Sequence, residues 1–177
     1  MQKVKLPVEI DPFKTAKRKL DYEGFLEVKR LPRFSDATLK VNSDVDVWLR
    51  FETDPQGLVV VQGKALTEVE LECQRCGESF TYPIHVEFNY SPVCDESQVE
   101  ALPEDYEPLQ LNEDNYFLVA DLIEDELLLA LPIIPKHELT ACKVQQSEQV
   151  FGEIDEVVEE ESKPNPFAVL QSLKKKD

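Results

Sequence analysis

Basic residues, glycine and histidine are all scarce in this chain of 177 residues. Nineteen Lys and Arg face 36 Asp and Glu, a formal net charge of −17. Nucleic acid binds chiefly through basic side chains that displace its counterions, so the chain as a whole is excluded as a general nucleic-acid coat. Two histidines leave little for general-base chemistry, and no HExxH, P-loop, GxSxG or dinucleotide fingerprint supplies a candidate active site. No window reaches the roughly 18–20 uninterrupted apolar residues that a membrane span needs. The opening MQKVKLPVEIDP lacks the apolar stretch and cleavage site of an export signal, so the expected location is cytoplasmic. Five glycines against twelve prolines predict fixed bends and extended segments. In a reducing compartment the four cysteines are expected to be thiols or metal ligands, not disulfides.

The charge that is present is unevenly spread. Residues 1–40 carry ten basic and six acidic side chains, whereas residues 91–161 carry two basic and twenty acidic ones. A basic arm therefore precedes a strongly acidic body. If RNA is contacted directly, the candidates are Lys14, Lys17, Arg18, Lys19, Lys29, Arg30 and Arg33. Few aromatics interleave those charges, so stacking on bases is not expected. The acidic surface suits basic partner proteins, or simply keeps the protein in solution.

Hydrophobic periodicity predicts an α+β fold. Asp11-Pro12 reads as an N-cap with proline at the first helical position, and DYEGFLEV reads as extended. From about residue 38 the period becomes two: Val45, Val47, Leu49 and Phe51 alternate with polar residues, as do Ala65, Thr67, Val69 and Leu71, and then Phe80 through Tyr90. Asp54-Pro55-Gln56-Gly57 is a turn sequence, and Gly63 suggests a bulge. The expected core is an antiparallel β-meander over 38–90, covered by a helix over 118–131 that Pro132 ends. Residues 91–113 read as a long loop. The expected division is a basic arm over 1–37 packed on a core over 38–144, an acidic flexible tether over 145–164 and a short C-terminal helix over 165–177. In that helix Phe167, Leu170 and Leu173 form an apolar stripe, which docks on its own domain or serves a partner protein.

One constellation carries chemistry. Cys73 and Cys76 form a CxxC at the turn between the second and third strands, the shape of a zinc knuckle. Two more donors are needed: His137 and Cys142 follow the main helix and complete a Cys₃His set, while Cys94 and His85 are weaker candidates. The alternative is a metal-free turn with packed thiols. A thioredoxin-like redox role is disfavoured, because the CxxC is flanked by strands and not by a helix N-terminus. Cys94 precedes two acids, which discourages its thiolate, and His85 points away from the aromatic face of its strand. Glu124, Asp125 and Glu126 are adjacent on a helix and cannot converge on one ion, so they read as a solvated face.

The segments MQKVKLP, RKLDYEG, LECQRCGESF, IEDELLLALPIIP, FGEI and KPNPFAVLQSLK, in this order over nearly the whole chain, resemble the YceD family of large ribosomal RNA subunit accumulation proteins, in its gammaproteobacterial form. That resemblance implies a non-enzymatic ribosome-biogenesis factor needed for synthesis, processing or accumulation of 23S ribosomal RNA. Its expected partners are ribosomal or ribosome-assembly proteins, with RNA contacted directly or indirectly and no small-molecule substrate. Relatives carry a fuller cysteine array after the main helix, where this chain has His137 and Cys142. Two other readings stay open: direct RNA binding through the basic arm, and a zinc-dependent or redox-sensing module.

Overall fold

Alternating apolar residues need a surface to bury against, and in the computed structural model, which describes residues 4–144, three long strands provide it. They are preceded by β1 (Glu9–Ile10), α1 (Pro12–Arg18), β2 (Asp21–Leu26), a 3-10 turn (Val28–Arg30), α2 (Pro32–Asp36) and β3 (Lys40–Val41). The long strands are β4 (Val45–Thr53), β5 (Val59–Glu72) and β6 (Ser79–Val93). Then follow α3 (Glu96–Val99), β7 (Glu107–Gln110), β8 (Phe117–Leu118), α4 (Val119–Leu129) and a 3-10 turn at Leu139–Ala141.

The main sheet runs β2-β4-β5-β6-β7, with β3 also paired to β5. β6 and β7 are parallel, and the other pairs are antiparallel. The fold is thus α+β with a mixed sheet. The arm that precedes residue 38 gives the sheet its edge strand β2, because Tyr22 and Leu26 align with Leu49 and Val45 of β4. The region expected to be a loop over 91–113 instead contains the end of β6, α3 and β7. Ser91 and Val93 are buried there, and Ser91 Oγ donates to Val59 O at 3.0 Å. A second, two-stranded pairing joins β1 to β8. The tether over 145–164 and the C-terminal stripe of Phe167, Leu170 and Leu173 lie outside the described residues.

The inward residues of β4, β5 and β6 bury one face of the sheet, and Val119, Ala120, Leu122, Ile123 and Leu127 of α4 belong to the same apolar cluster. Phe34 and Leu31, at the start of α2, are fully buried in it. Gly63 is not at a bulge: it pairs in register with Leu49 and Phe88. Its lack of a side chain admits the Phe88 ring, since a Cβ there would lie 2.0 Å from Phe88 Cζ. No helix among the described residues is long and apolar enough to cross a membrane.

Local signals act as the sequence suggests at two points. Asp11 Oδ1 accepts from Lys14 N at 2.9 Å and caps α1. Asp54 Oδ1 accepts from Gln56 N and Leu58 N at 2.9 and 2.8 Å, closing the turn between β4 and β5.

Candidate metal centre

The turn between β5 and β6 is tight. Cys73 N donates to Glu78 O and Gly77 N donates to Cys73 O, both at 2.8 Å, and Gly77 has φ of 74°, a left-handed conformation that glycine adopts without strain. This geometry turns both thiols of the CxxC to one side. The segment after α4 reaches them because Pro132 ends the helix and the chain returns extended, where Gln74 N donates to Pro135 O at 2.9 Å. That bond brings His137 and, after the 3-10 turn, Cys142 to the hairpin.

The Sγ atoms of Cys73, Cys76 and Cys142 and a ring nitrogen of His137 all lie within 4.8 Å of one another. Four ligands around one tetrahedral zinc, with Zn–S near 2.3 Å and Zn–N near 2.0 Å, lie roughly 3.5–4 Å apart, so the set is compact enough for a single ion. His137 Nε2 is 3.2 Å from Cys76 Sγ. Its Nδ1 is 3.3 Å from Glu138 O. A carbonyl can only accept, so this contact puts the ring proton on Nδ1 and leaves the Nε2 lone pair facing the thiols. The Phe80 ring meets the imidazole edge-on, with centroids 5.4 Å apart. Cys73 and Cys142 are buried and Cys76 is half-buried.

The electrostatics favour at least one thiolate. Burial pushes the Cys73 thiol up, but the backbone N–H groups of Arg75, His137 and Cys76 outweigh it and bring the group down to about 6. For Cys76 the Glu78 N–H favours the thiolate, yet burial and the neighbouring Cys73 and Cys142 thiols leave it raised. Several thiolates in one buried place repel each other unless a cation sits among them, so this donor set fits a soft divalent ion. Lys143 pairs with Glu78 beside the site.

The remaining candidates are dispersed. Cys94 is exposed and its thiol faces Asn115 Oδ1; His85 is exposed on β6, 3.5 Å from Glu87. Neither belongs to the cluster. Among the basic residues, Lys14 pairs with Asp11 at 2.8 Å and Lys29 with Glu27 at 2.8 Å. Arg33 pairs with Glu124 and Asp125, both at 2.8 Å. Lys17, Arg18 and Lys19 are exposed at the end of α1, and Arg30 is half-buried.

Glu124 departs from the expected solvated face. It is only 3% exposed, accepts from Phe34 N at 3.1 Å and from Arg33 Nε at 2.8 Å, and so fastens α2 to α4. The signal was available, because Glu124 falls four residues after Ala120 and three before Leu127, inside the apolar stripe. An acid at such a position needs a buried donor. Glu126, the neighbouring acid on α4, also departs from a solvated face: it is half-buried, Tyr90 donates to it, and burial pushes both groups up, most strongly the tyrosine.

A family model described as "Large ribosomal RNA subunit accumulation protein YceD" matches residues 61–174, a span that holds all four clustered donors. The chain is also 48% identical over 176 residues to a protein of Haemophilus influenzae named "Large ribosomal RNA subunit accumulation protein YceD", covering 99% of this chain and all of that one. No solved structure matches it. On the family match and the near-complete alignment together, the chain belongs to the YceD family of large ribosomal RNA subunit accumulation proteins.

Proposed function

We propose that the protein is a non-enzymatic factor for the accumulation of 23S ribosomal RNA, working through protein contacts, with a structural zinc at Cys73, Cys76, His137 and Cys142. The near full-length likeness to a protein named for that role carries the first part. The charge pattern supports the mode of action: a chain with a net charge of −17 attracts basic partners, such as ribosomal proteins, and repels bare RNA. The convergence of three thiols and an imidazole supports the metal. A closed Cys₃His set leaves no open position for a substrate and suits a structural ion. Its task would be to clamp the β5–β6 turn to the segment after α4.

Depleting the protein from growing cells and measuring 23S ribosomal RNA precursors and ends tests the role. Precursor accumulation and reduced large subunits are expected; unchanged levels would sink the proposal.

Direct RNA binding through the arm is the second reading. The exposed Lys17, Arg18 and Lys19 favour it, whereas the pairing of Arg33 and Lys14 within the chain reduces the charge available. If RNA is bound this way, affinity must fall steeply with added salt and vanish in K17E/R18E/K19E.

A further inference from the structure

The donors of the cluster are unequally placed. Cys73 is fully buried, and the backbone N–H groups of Arg75, Cys76 and His137 all engage its sulfur. Cys142 is buried as well, whereas Cys76 is half-buried, so a small solute meets Cys76 first among the three thiols. Cys76 also neighbours every other donor, with His137 Nε2 at 3.2 Å and the Cys73 and Cys142 sulfurs within 4.8 Å. A zinc-bound sulfur is a thiolate by ligation, and an accessible thiolate is the form that hydroperoxides oxidise.

The two sulfurs beside Cys76 are held by different means. Cys73 belongs to the same tight turn, fixed by its bonds to Glu78 and Gly77 at 2.8 Å. Cys142 arrives on the segment after α4. Apart from the metal ligands, that segment is tied to the turn by the bond from Gln74 N to Pro135 O and by the ion pair of Lys143 with Glu78 at the exposed rim. Without a metal, Cys73 stays next to Cys76 because only two residues separate them, while Cys142 must be brought back across a long loop.

We infer that the cluster is a peroxide-sensitive clasp, in which a hydroperoxide joins Cys76 to Cys73 as a disulfide and frees the segment after α4 from the turn. With hydrogen peroxide, the Cys76 thiolate attacks one oxygen. An S–O bond forms, the O–O bond breaks, and hydroxide leaves and takes up a proton. The Cys73 thiolate then attacks the sulfenic sulfur of Cys76. The S–S bond forms, the S–O bond breaks, and a second hydroxide leaves and is protonated. Two thiolates, one peroxide and two protons thus give one disulfide and two waters, with two electrons passing from sulfur to oxygen. His137 and Cys142 remain as two ligands, too few for a structural zinc. The freed segment carries Ile133, 95% exposed, and the exposed Ile134 and Leu139, so the step alters where an apolar surface is presented. The inference deepens the structural-zinc reading and rests on it.

The test treats the zinc-loaded, full-length protein with hydrogen peroxide while a chromogenic chelator reports free metal. About one zinc per chain is expected to leave, and peptide mapping should find the Cys73–Cys76 disulfide. The Gln74 amide should then exchange at least about tenfold faster, and dithiothreitol with added zinc should reverse this. Two variants that each keep four ligands isolate the attacking thiol. C76H should release zinc at least about tenfold more slowly than the native chain, and C142H at a near-native rate. C94S, which removes the exposed thiol outside the cluster, should change nothing. Zinc that stays bound under peroxide, a mapped Cys76–Cys142 bridge, or equal resistance in C76H and C142H would overturn the clasp. If either variant takes up no zinc, the disulfide mapped in the native chain decides. A native chain with no zinc to release would overturn the metal reading as well, whereas zinc that is present and retained would overturn the clasp alone.

Discussion

The two turns that close the long hairpins differ in emphasis. The Asp54 turn is held chiefly by its own residues, with one distant bond from Tyr106 Oη to Asp54 Oδ2 at 3.2 Å. The CxxC turn adds to its own bonds a clamp from the segment after α4. Between β4 and β5, Asp54 supplies its own turn with two hydrogen bonds to backbone N–H groups only two and four residues away. Between β5 and β6, the turn reaches across about sixty residues: Gln74 bonds to Pro135 and Cys76 meets His137. A local turn is secure once its own residues are chosen. A distant clamp exists only when the rest of the chain has arrived, so it reports on the state of the whole fold. Glu124 belongs to the second kind, since its partners lie ninety residues earlier.

The comparison is sharpened most strongly by removing the metal. Chelation of the zinc-loaded protein is expected to lower stability by more than about 3 kcal/mol, because ion binding here is coupled to closing the turn. Hydrogen exchange should then speed up at the Gln74 amide while the Leu58 amide stays protected; equal loss at both turns would break the contrast. Next in size, Glu124→Ala should cost about 3 kcal/mol in chemical denaturation, since it leaves Phe34 N and the Arg33 guanidinium without their buried acceptor. Asp54→Ala should cost about 1 kcal/mol and leave exchange at Gln74 unaltered.

An effect of the same small size belongs to another local device, the cap of α1. Asp11 is pushed up by burial, but the bonds from Lys14 and its nearby charge outweigh this, so the carboxyl is lowered from its ordinary 3.8. A depressed carboxyl stabilises the folded state above its unfolded pKa, and the benefit disappears as pH falls through the folded one. Asp11→Ala should therefore cost about 1 kcal/mol near neutrality, and the gap between variant and native chain should close in acid melts below about pH 4. A gap that persisted there would assign the effect to packing.

The same divide between local and distant ties decides what the sequence makes legible. Asp11-Pro12, the turn at Asp54 and the alternation in β4 to β6 are short-range patterns, and each stands where its pattern predicts. The CxxC was visible for the same reason, and its spacing called for two more donors, for which His137 and Cys142 were natural candidates. What escaped depends on encounters between distant elements. The edge strand β2 and the parallel strand β7 exist because β4 and β6 offer them open backbone edges. Gly63 reads as a bulge until the Phe88 ring is placed against it. Glu124 reads as a solvated acid until α2 meets α4.

The metal content of the full-length, untagged protein, purified without chelators, tests the central claim most directly. Elemental mass spectrometry should find about one zinc per chain, lost in Cys76→Ser. Less than about a tenth of an equivalent in the native protein, given how tightly thiolate sites retain zinc, would contradict it.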